Sequence, residues 1–345
     1  MMQFDAATIE KRATAAAFYH RQLFAEPPIA SRNEVDLEGK TAIITGSNTG
    51  LGFECARQLL DLGLSKLIVA VRDEVKGQDA RIKLLSGRNA ENHTIEVWKL
   101  DLLCYNSIMS FVGRAKGLGR LDYVVNNAGL AKLSFEINKS TGHEEIVQVN
   151  YLSLALLTIL LLPVLKDKNS VQQPGRLVNV SSDTPSWAKF KEKHSIPLLP
   201  AFDKEDNFDP HDRYSTSKLL GQLFLVELTR RIPPSVAIIN APNPGLCKTS
   251  LTRDYNGSFR GFIFGVFRLM FARTAAVGAR SLTDALVKHG LESHGQYLED
   301  GKIQPMAPMV YTRQGKEVAE LLWQETIDEL SFVNASSIIK DLRSV

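Results

Sequence analysis

Tyr214 and Lys218 stand four positions apart in Tyr-Ser-Thr-Ser-Lys, and on a helix that spacing makes them neighbours on one face. A free phenol has a pKa of about 10 and keeps its proton at neutral pH. An adjacent ammonium favours the phenolate and lowers that value, towards the range where a group can both give and take a proton in catalysis. Upstream, the run Asn-Val-Ser-Ser ends in Ser181 and Ser182, two hydroxyls at a strand end. Y-x-x-x-K alone is a common helix pattern, so the chemistry rests on what else the chain supplies.

A nucleotide-binding turn comes first. Thr41 to Thr45 is a β-branched apolar run that reads as a buried strand. It leads into Gly46-Ser-Asn-Thr-Gly50-Leu-Gly52 and then a helical pattern through Ala56, Leu59 and Leu60. In a strand–turn–helix context, small residues let the backbone approach a pyrophosphate and the helix N-terminus offers free N–H groups. Gly46, Asn48, Thr49, Gly50, Leu51 and Gly52 are therefore candidate cofactor contacts, against the alternative of a glycine-rich turn with no ligand. The second strand, Leu67 to Val71, should end beside an adenosine ribose. No carboxylate stands at its end, and Arg72 follows. A guanidinium without an acid suits a 2′-phosphate, so NADP(H) is expected in preference to NAD(H). Lys76 would add charge one helical turn on, while Asp73 could either pair with Arg72 or replace the missing acid.

The later strands end in polar or small residues. Thr94 to Asp101 delivers Asp101 as a partner for an adenine amino group. Leu121 to Gly129 ends in Asn126, Asn127, Ala128 and Gly129, small and amide residues that let a cofactor lie against the sheet edge. Arg176 to Ser182 is a fifth strand. Val236 to Ala241 is a sixth, followed by Pro242-Asn-Pro-Gly245 and Thr249.

Thr45-Gly46-x-x-x-Gly50-x-Gly52, Asn126-Asn-Ala-Gly129, Asn150, Ser182, Tyr214-x-x-x-Lys218 and Pro244-Gly245 occur in this order. Over roughly residues 38 to 330 the chain thereby resembles the short-chain dehydrogenase/reductase family. Its glycine turn, Val-Arg-Asp and long serine-to-tyrosine spacing are similar to the retinol-dehydrogenase-like branch. The likeness is strongest to fungal members, many of which act on secondary metabolites such as polyketides. The resemblance implies that Tyr214 is general acid in reduction and general base in oxidation. It implies that Lys218 tunes Tyr214 and binds the nicotinamide ribose, that Ser182 holds the substrate oxygen, and that Asn150 holds a water linking Lys218 to solvent. Thr249, after Pro244 and Gly245, is similar to the family's cofactor-contacting threonine. On the residues alone, Asn150 could merely cap or bend a helix, Ser181 could replace Ser182, and Thr249 could cap a helix.

Strands alternate with helical segments through most of the 345 residues, which predicts a single Rossmann-type α/β domain: a doubly wound parallel sheet with helices on both faces. Residues 39–335 make that domain, with substrate-loop insertions at about 183–212 and 247–273. Residues 1–38 read as an N-terminal helical extension (Ala7 to Phe24) and a Pro-Pro linker, and 336–345 as a C-terminal tail. A net charge of +3, with no basic cluster among aromatics, argues against a nucleic-acid partner. Cys55, Cys104 and Cys247 have no metal-ligand spacing, so no metal is expected and free thiols suit an intracellular enzyme. No secretory signal is visible, which points to the cytoplasm. Tyr151 to Leu165 is apolar but too short to span a bilayer and contains Pro163, so it reads as a central core helix rather than a transmembrane segment.

Two loops bear on the substrate. Residues 183–212 carry Trp187, Phe190, Phe202 and Phe208 among Lys189, Lys191 and Lys193. After Gly245 come Phe259, Phe262, Phe264, Phe267, Met270 and Phe271. Aromatic side chains near a cleft suggest a roomy apolar pocket, but they could equally pack a lid. A third reading is peripheral membrane contact by Phe259 to Phe271, with Arg260 and Arg268 at the headgroups. The leading expectation is an NADP(H)-dependent oxidoreductase interconverting a carbonyl and an alcohol on a lipophilic small molecule. The alternatives are a non-redox dehydratase or cyclase on the same scaffold, or a cofactor-binding regulatory protein. Either a monomer or a homodimer is compatible with the sequence.

Overall fold

Successive side chains of a strand point to opposite faces of its sheet, and here they feed two separate cores. In β1 (Thr41–Thr45) every residue is buried: Ile43 packs into one cluster, while Ala42 and Ile44 pack into the other. The same alternation recurs in β2 (Lys66–Val71), where Ile68 faces one core and Leu67 and Val69 the second. The computed structural model describes residues 2–249, 251 and 269–343. Its remaining strands are β3 (Thr94–Lys99), β4 (Tyr123–Asn126), β5 (Gly175–Asn179), β6 (Ala237–Asn243), β7 (Tyr297–Glu299) and β8 (Lys302–Gln304). Their order is β3-β2-β1-β4-β5-β6-β7-β8. Pairing is parallel throughout, except that β8 runs antiparallel to β7. Fully buried parallel strands need cover on both faces, and helices supply it. The fold is the expected Rossmann-type domain, with β8 as an edge strand that the sequence reading lacked.

Two short helices, α1 (Ala6–Ala13) and α2 (Ala15–Phe24), precede the sheet. The sequence reading took Ala7 to Phe24 as one helix. Thr14 interrupts it in an extended conformation, and its hydroxyl accepts the Ala17 N–H as the cap of α2. Next come α3 (Gly50–Asp61), α4 (Glu74–Leu85) and α5 (Tyr105–Lys116). The long α6 spans Glu145–Lys168 and contains a π-helical turn at Gln148–Leu152. A helix apolar all round belongs in a core. α6 is long and apolar enough to cross a membrane, yet 83% of its apolar window is buried inside the fold. Its burial, rather than the short length read from the sequence, makes it a core helix.

The remaining helices are α7 (Pro210–Thr229), α8 (Ala275–Val287), α9 (Arg313–Glu329) and α10 (Ala335–Arg343). Residues 336–345, expected to be a tail, instead fall mostly within α10, which buries Ile339 and Leu342. Their apolar side chains recur at helical spacing, and this single stripe anchors an otherwise charged segment. Phe259, Phe262, Phe264, Phe267, Arg260 and Arg268 lie outside the described residues.

Candidate active site

The strand order reverses between β1 and β4, and a ligand cleft is expected at the carboxyl ends of strands at such a point. The two strands are tied together there. Thr45 Oγ1 accepts the N–H groups of Asn127 and Ala128 at 3.0 and 2.9 Å. Asn127 Nδ2 donates back to the carbonyls of Thr45 and Gly46 at 2.9 and 3.3 Å. Asn127, an expected cofactor contact, lines the cleft, and its amide nitrogen also fixes the glycine turn.

That turn has the conformation its glycines allow. Gly46 and Gly50 sit at φ +64° and +62°, a region that other residues enter at a cost. Gly52 serves close approach instead, since a Cβ there would stand 2.6 Å from Asn127 Nδ2 and 2.7 Å from the Gly46 carbonyl oxygen. Thr49 is the N-cap of α3 and lines the cleft with Leu51, so the helix N-terminus, where an anion is favoured, opens at the cleft. This cradle fits a dinucleotide pyrophosphate.

The cleft has a volume of about 820 Å³. Of the expected cofactor contacts, Gly46, Asn48, Thr49, Leu51, Asn127, Ala128, Gly129, Tyr214, Lys218, Pro244, Gly245 and Thr249 line it. Gly50 and Gly52 shape the turn behind it. Thr249 Oγ1 also accepts the Leu251 N–H at 3.4 Å, so its capping reading stands beside the cofactor one. Arg72, Lys76 and Asp101 do not line the cleft but follow β2 and β3 at the same sheet edge, where the Gly46 N–H bonds the Ala70 carbonyl and the Leu100 N–H bonds that of Val71. Arg72 is exposed and makes no ion pair among the described residues. Asp73 caps α4 and pairs with Lys76 at 3.3 Å rather than with Arg72. Asp101 accepts the Leu103 N–H at 3.0 Å.

Tyr214 and Lys218 lie in the first turns of α7, where Pro210 opens the helix and Asp209 caps it by accepting the N–H groups of His211 and Asp212. Both side chains line the cleft. Lys218 Nζ donates to the Val180 carbonyl at 2.9 Å. Burial pushes its pKa down to about 8, because a desolvated ammonium is less stable than in water; it stays mostly charged at neutral pH. Asn150 lies in the π-helical turn of α6. It donates to the Leu130 carbonyl at 2.8 Å and to Ser217 Oγ at 3.0 Å, and it accepts the Leu130 N–H at 2.7 Å. Ser217 in turn donates to the Tyr214 carbonyl at 2.7 Å. The Asn150 amide thus braces the loop after β4 against α7, leaving at most one Oδ1 lone pair for the expected water. A Cβ on Gly129 would lie 3.3 Å from Asn150 Oδ1 and 3.8 Å from Lys218 Nζ, so these three residues crowd together.

Ser181 and Ser182 both reach the cleft, but their hydroxyls differ. Ser181 Oγ accepts Gln222 Nε2 at 3.2 Å and is buried. Ser182 Oγ is approached by the Thr184 N–H and hydroxyl at 3.3 and 3.2 Å. The aromatic residues of the 183–212 loop divide as well. Phe190 and Phe202 stack at 6.0 Å with no exposure, and Phe208 packs edge-on against Phe135. Packing is therefore the reading that holds for these three, and Trp187 alone of the four lines the cleft. Sequence reasoning missed Ala15, Phe18 and Tyr19 of α2, as well as Thr184 and His211, all of which line it. Only Thr184, a hydroxyl two positions after Ser182, carried a local signal. Among the described residues no His, Cys, Asp and Glu group could hold a metal.

The chain matches the family model for short chain dehydrogenases over residues 40–189. It is 48% identical to short-chain dehydrogenase fogG of Aspergillus ruber over 96% of this chain and 97% of that one. It is 44% identical to short chain dehydrogenase/reductase mfmJ of Annulohypoxylon moriforme over 94% of each. Among solved structures, an uncharacterized protein from Mycobacterium paratuberculosis superposes with a TM-score of 0.63 at 26% identity, over 88% of this chain and 98% of that one. The short-chain dehydrogenase from Sphingobium yanoikuyae in complex with NADPH shares the fold, with a TM-score of 0.54 at 17% identity over 84% and 95% of the two chains. The protein belongs to the short-chain dehydrogenase/reductase family of oxidoreductases, and its relatives include fungal members.

Proposed function

We propose that the protein interconverts a ketone or aldehyde and an alcohol on a bulky lipophilic molecule, a secondary metabolite such as a polyketide, with NADP(H). The observation that carries this reading is the meeting of Tyr214, Lys218 and Ser182 in one cleft beside the glycine turn. The nicotinamide, when bound, supplies or accepts the hydride. In reduction, Tyr214 gives its phenolic proton to the carbonyl oxygen while the Ser182 hydroxyl donates to the same oxygen and stabilises the developing alkoxide. In oxidation, Tyr214 takes the alcohol proton. The buried ammonium of Lys218 favours the tyrosinate and so brings the phenol closer to working pH. Asn150 positions α7 through Ser217. Arg72 at the end of β2 suits a 2′-phosphate, and its freedom from ion pairs among the described residues supports NADP(H) over NAD(H).

The test is Tyr214→Phe. Removing a positioned acid–base group should lower kcat about 10²- to 10⁴-fold, followed as absorbance of the reduced nicotinamide with lipophilic ketones. Cofactor affinity by calorimetry should stay within a few-fold of wild type. Near-wild-type turnover would remove Tyr214 from the mechanism. Product formation with a silent nicotinamide signal would point instead to dehydration or cyclisation.

A further inference from the structure

We propose that α1 and α2 form the outer wall of the substrate pocket, and that Phe18 with Trp187 makes a subsite for an aromatic ring of the substrate. The proposal deepens the redox reading of the same cleft and rests on it.

The N-terminal helices are built into the site from both sides. On the β5 side, Arg21 Nη2 donates to Asp183 Oδ1 at 2.8 Å, and Trp187 Nε1 donates to the Ala13 carbonyl at 2.8 Å. On the β6 side, the buried Gln22 donates to the carbonyls of Leu246 and Phe271, both at 2.8 Å, and accepts the Leu246 N–H at 3.0 Å. α2 therefore bridges the two segments that follow Ser182 and Gly245. Asp183 is the next residue after Ser182, so the Arg21 ion pair fixes the wall relative to the proposed substrate-oxygen donor. Arg21 Nε also meets Glu299 at 3.1 Å. The two Arg21 ion pairs are largely buried and charge-assisted, the kind that hold a geometry rather than merely decorate a surface.

Phe18 and Trp187 meet edge to face, with centroids 5.3 Å apart and planes at 86°. Both line the cavity, yet Trp187 remains 42% exposed. Had the pair only packed the wall, its rings would be closed off as Phe190 and Phe202 are in the same loop, at 0% exposure. An indole left open in a cavity wall, with a phenyl ring set against it, offers the face and edge that a third aromatic ring prefers. A flat, fused-ring ketone or phenol is the ligand class this arrangement takes.

The experiment measures binding of 2-naphthol, which has no carbonyl to reduce, to the full chain loaded with NADP+ by calorimetry. The KM values for 2-acetonaphthone and cyclohexanone are measured alongside. Phe18→Ala, and Phe18→Leu as the variant that keeps apolar bulk, should each weaken naphthol binding about 3- to 10-fold. KM for the naphthyl ketone should rise by a similar factor, with kcat and the cyclohexanone KM unchanged and NADP+ affinity retained. Naphthol binding that is absent from the wild type, or equal in the wild type and the Phe18→Leu protein, would overturn the subsite. Phe18-dependent naphthol binding without reduction of either ketone would sustain the subsite and strike the redox reading alone.

Discussion

Arg72 concentrates the proposed cofactor preference in one exposed side chain, because Lys76 is held by Asp73. A hydrogen bond to a charged group contributes about 1.5–3 kcal/mol. Arg72→Ala should therefore weaken NADPH about 10- to 100-fold in a binding titration and leave NADH nearly unchanged. Equal losses for both cofactors would withdraw the 2′-phosphate role. Arg72, Tyr214 and Lys218 could be picked out from the sequence because each stands at a position that local pattern defines: after a strand, or on one face of a helix. Asn127 and Asn150 were legible as residues, but the bracing contacts they make were not. An amide at a strand end can face a ligand or latch its own backbone with equal ease, and only the partners decide.

Among the elements, the β1–α3 turn depends on Gly52 for close approach as well as on the two glycines with positive φ. A methyl group there would press on Asn127 Nδ2 and on the Gly46 carbonyl, both of which hold the turn to β4. Gly52→Ala should lower stability by about 1–3 kcal/mol and weaken cofactor binding, read as a lower melting temperature and a smaller cofactor-induced rise in it. Wild-type values for both would mean that the turn yields without consequence. Strands as apolar as β1 and β2 were readable from their runs of β-branched residues. β8 was not, because three residues carry no period. The break between α1 and α2 escaped because the apolar stripe continues across Thr14, and the docking of α2 escaped because amphipathicity names a face but not its partner.

Across the whole molecule, distant segments meet at His143, which bonds Asp203 at 3.1 Å and pairs with Glu329 at 3.1 Å. Burial opposes its charge, but those two carboxylates outweigh burial and raise its pKa from 6.5 to about 9. A histidine with a raised folded pKa contributes stability that is complete below its unfolded value of about 6.5 and is lost as pH rises through about 9. Lys218, lowered to about 8, acts in the opposite sense only above that pH. Between pH 6 and 8 the wild type should therefore lose stability, by up to about 1.4 kcal/mol per pH unit, and His143→Gln should lose less. Parallel denaturation curves for the two proteins over that range would remove His143 from the balance. No local pattern announces this cluster, since its members come from separate parts of the chain.

The grip of Arg12 on Glu299 joins positions 287 apart, and that of Arg21 on Asp183 joins positions 162 apart. As the chain leaves the ribosome, its first helices are made long before the carboxylates that will seat them. The N-terminal wall of the pocket is therefore not seated on both carboxylates until β7 has emerged.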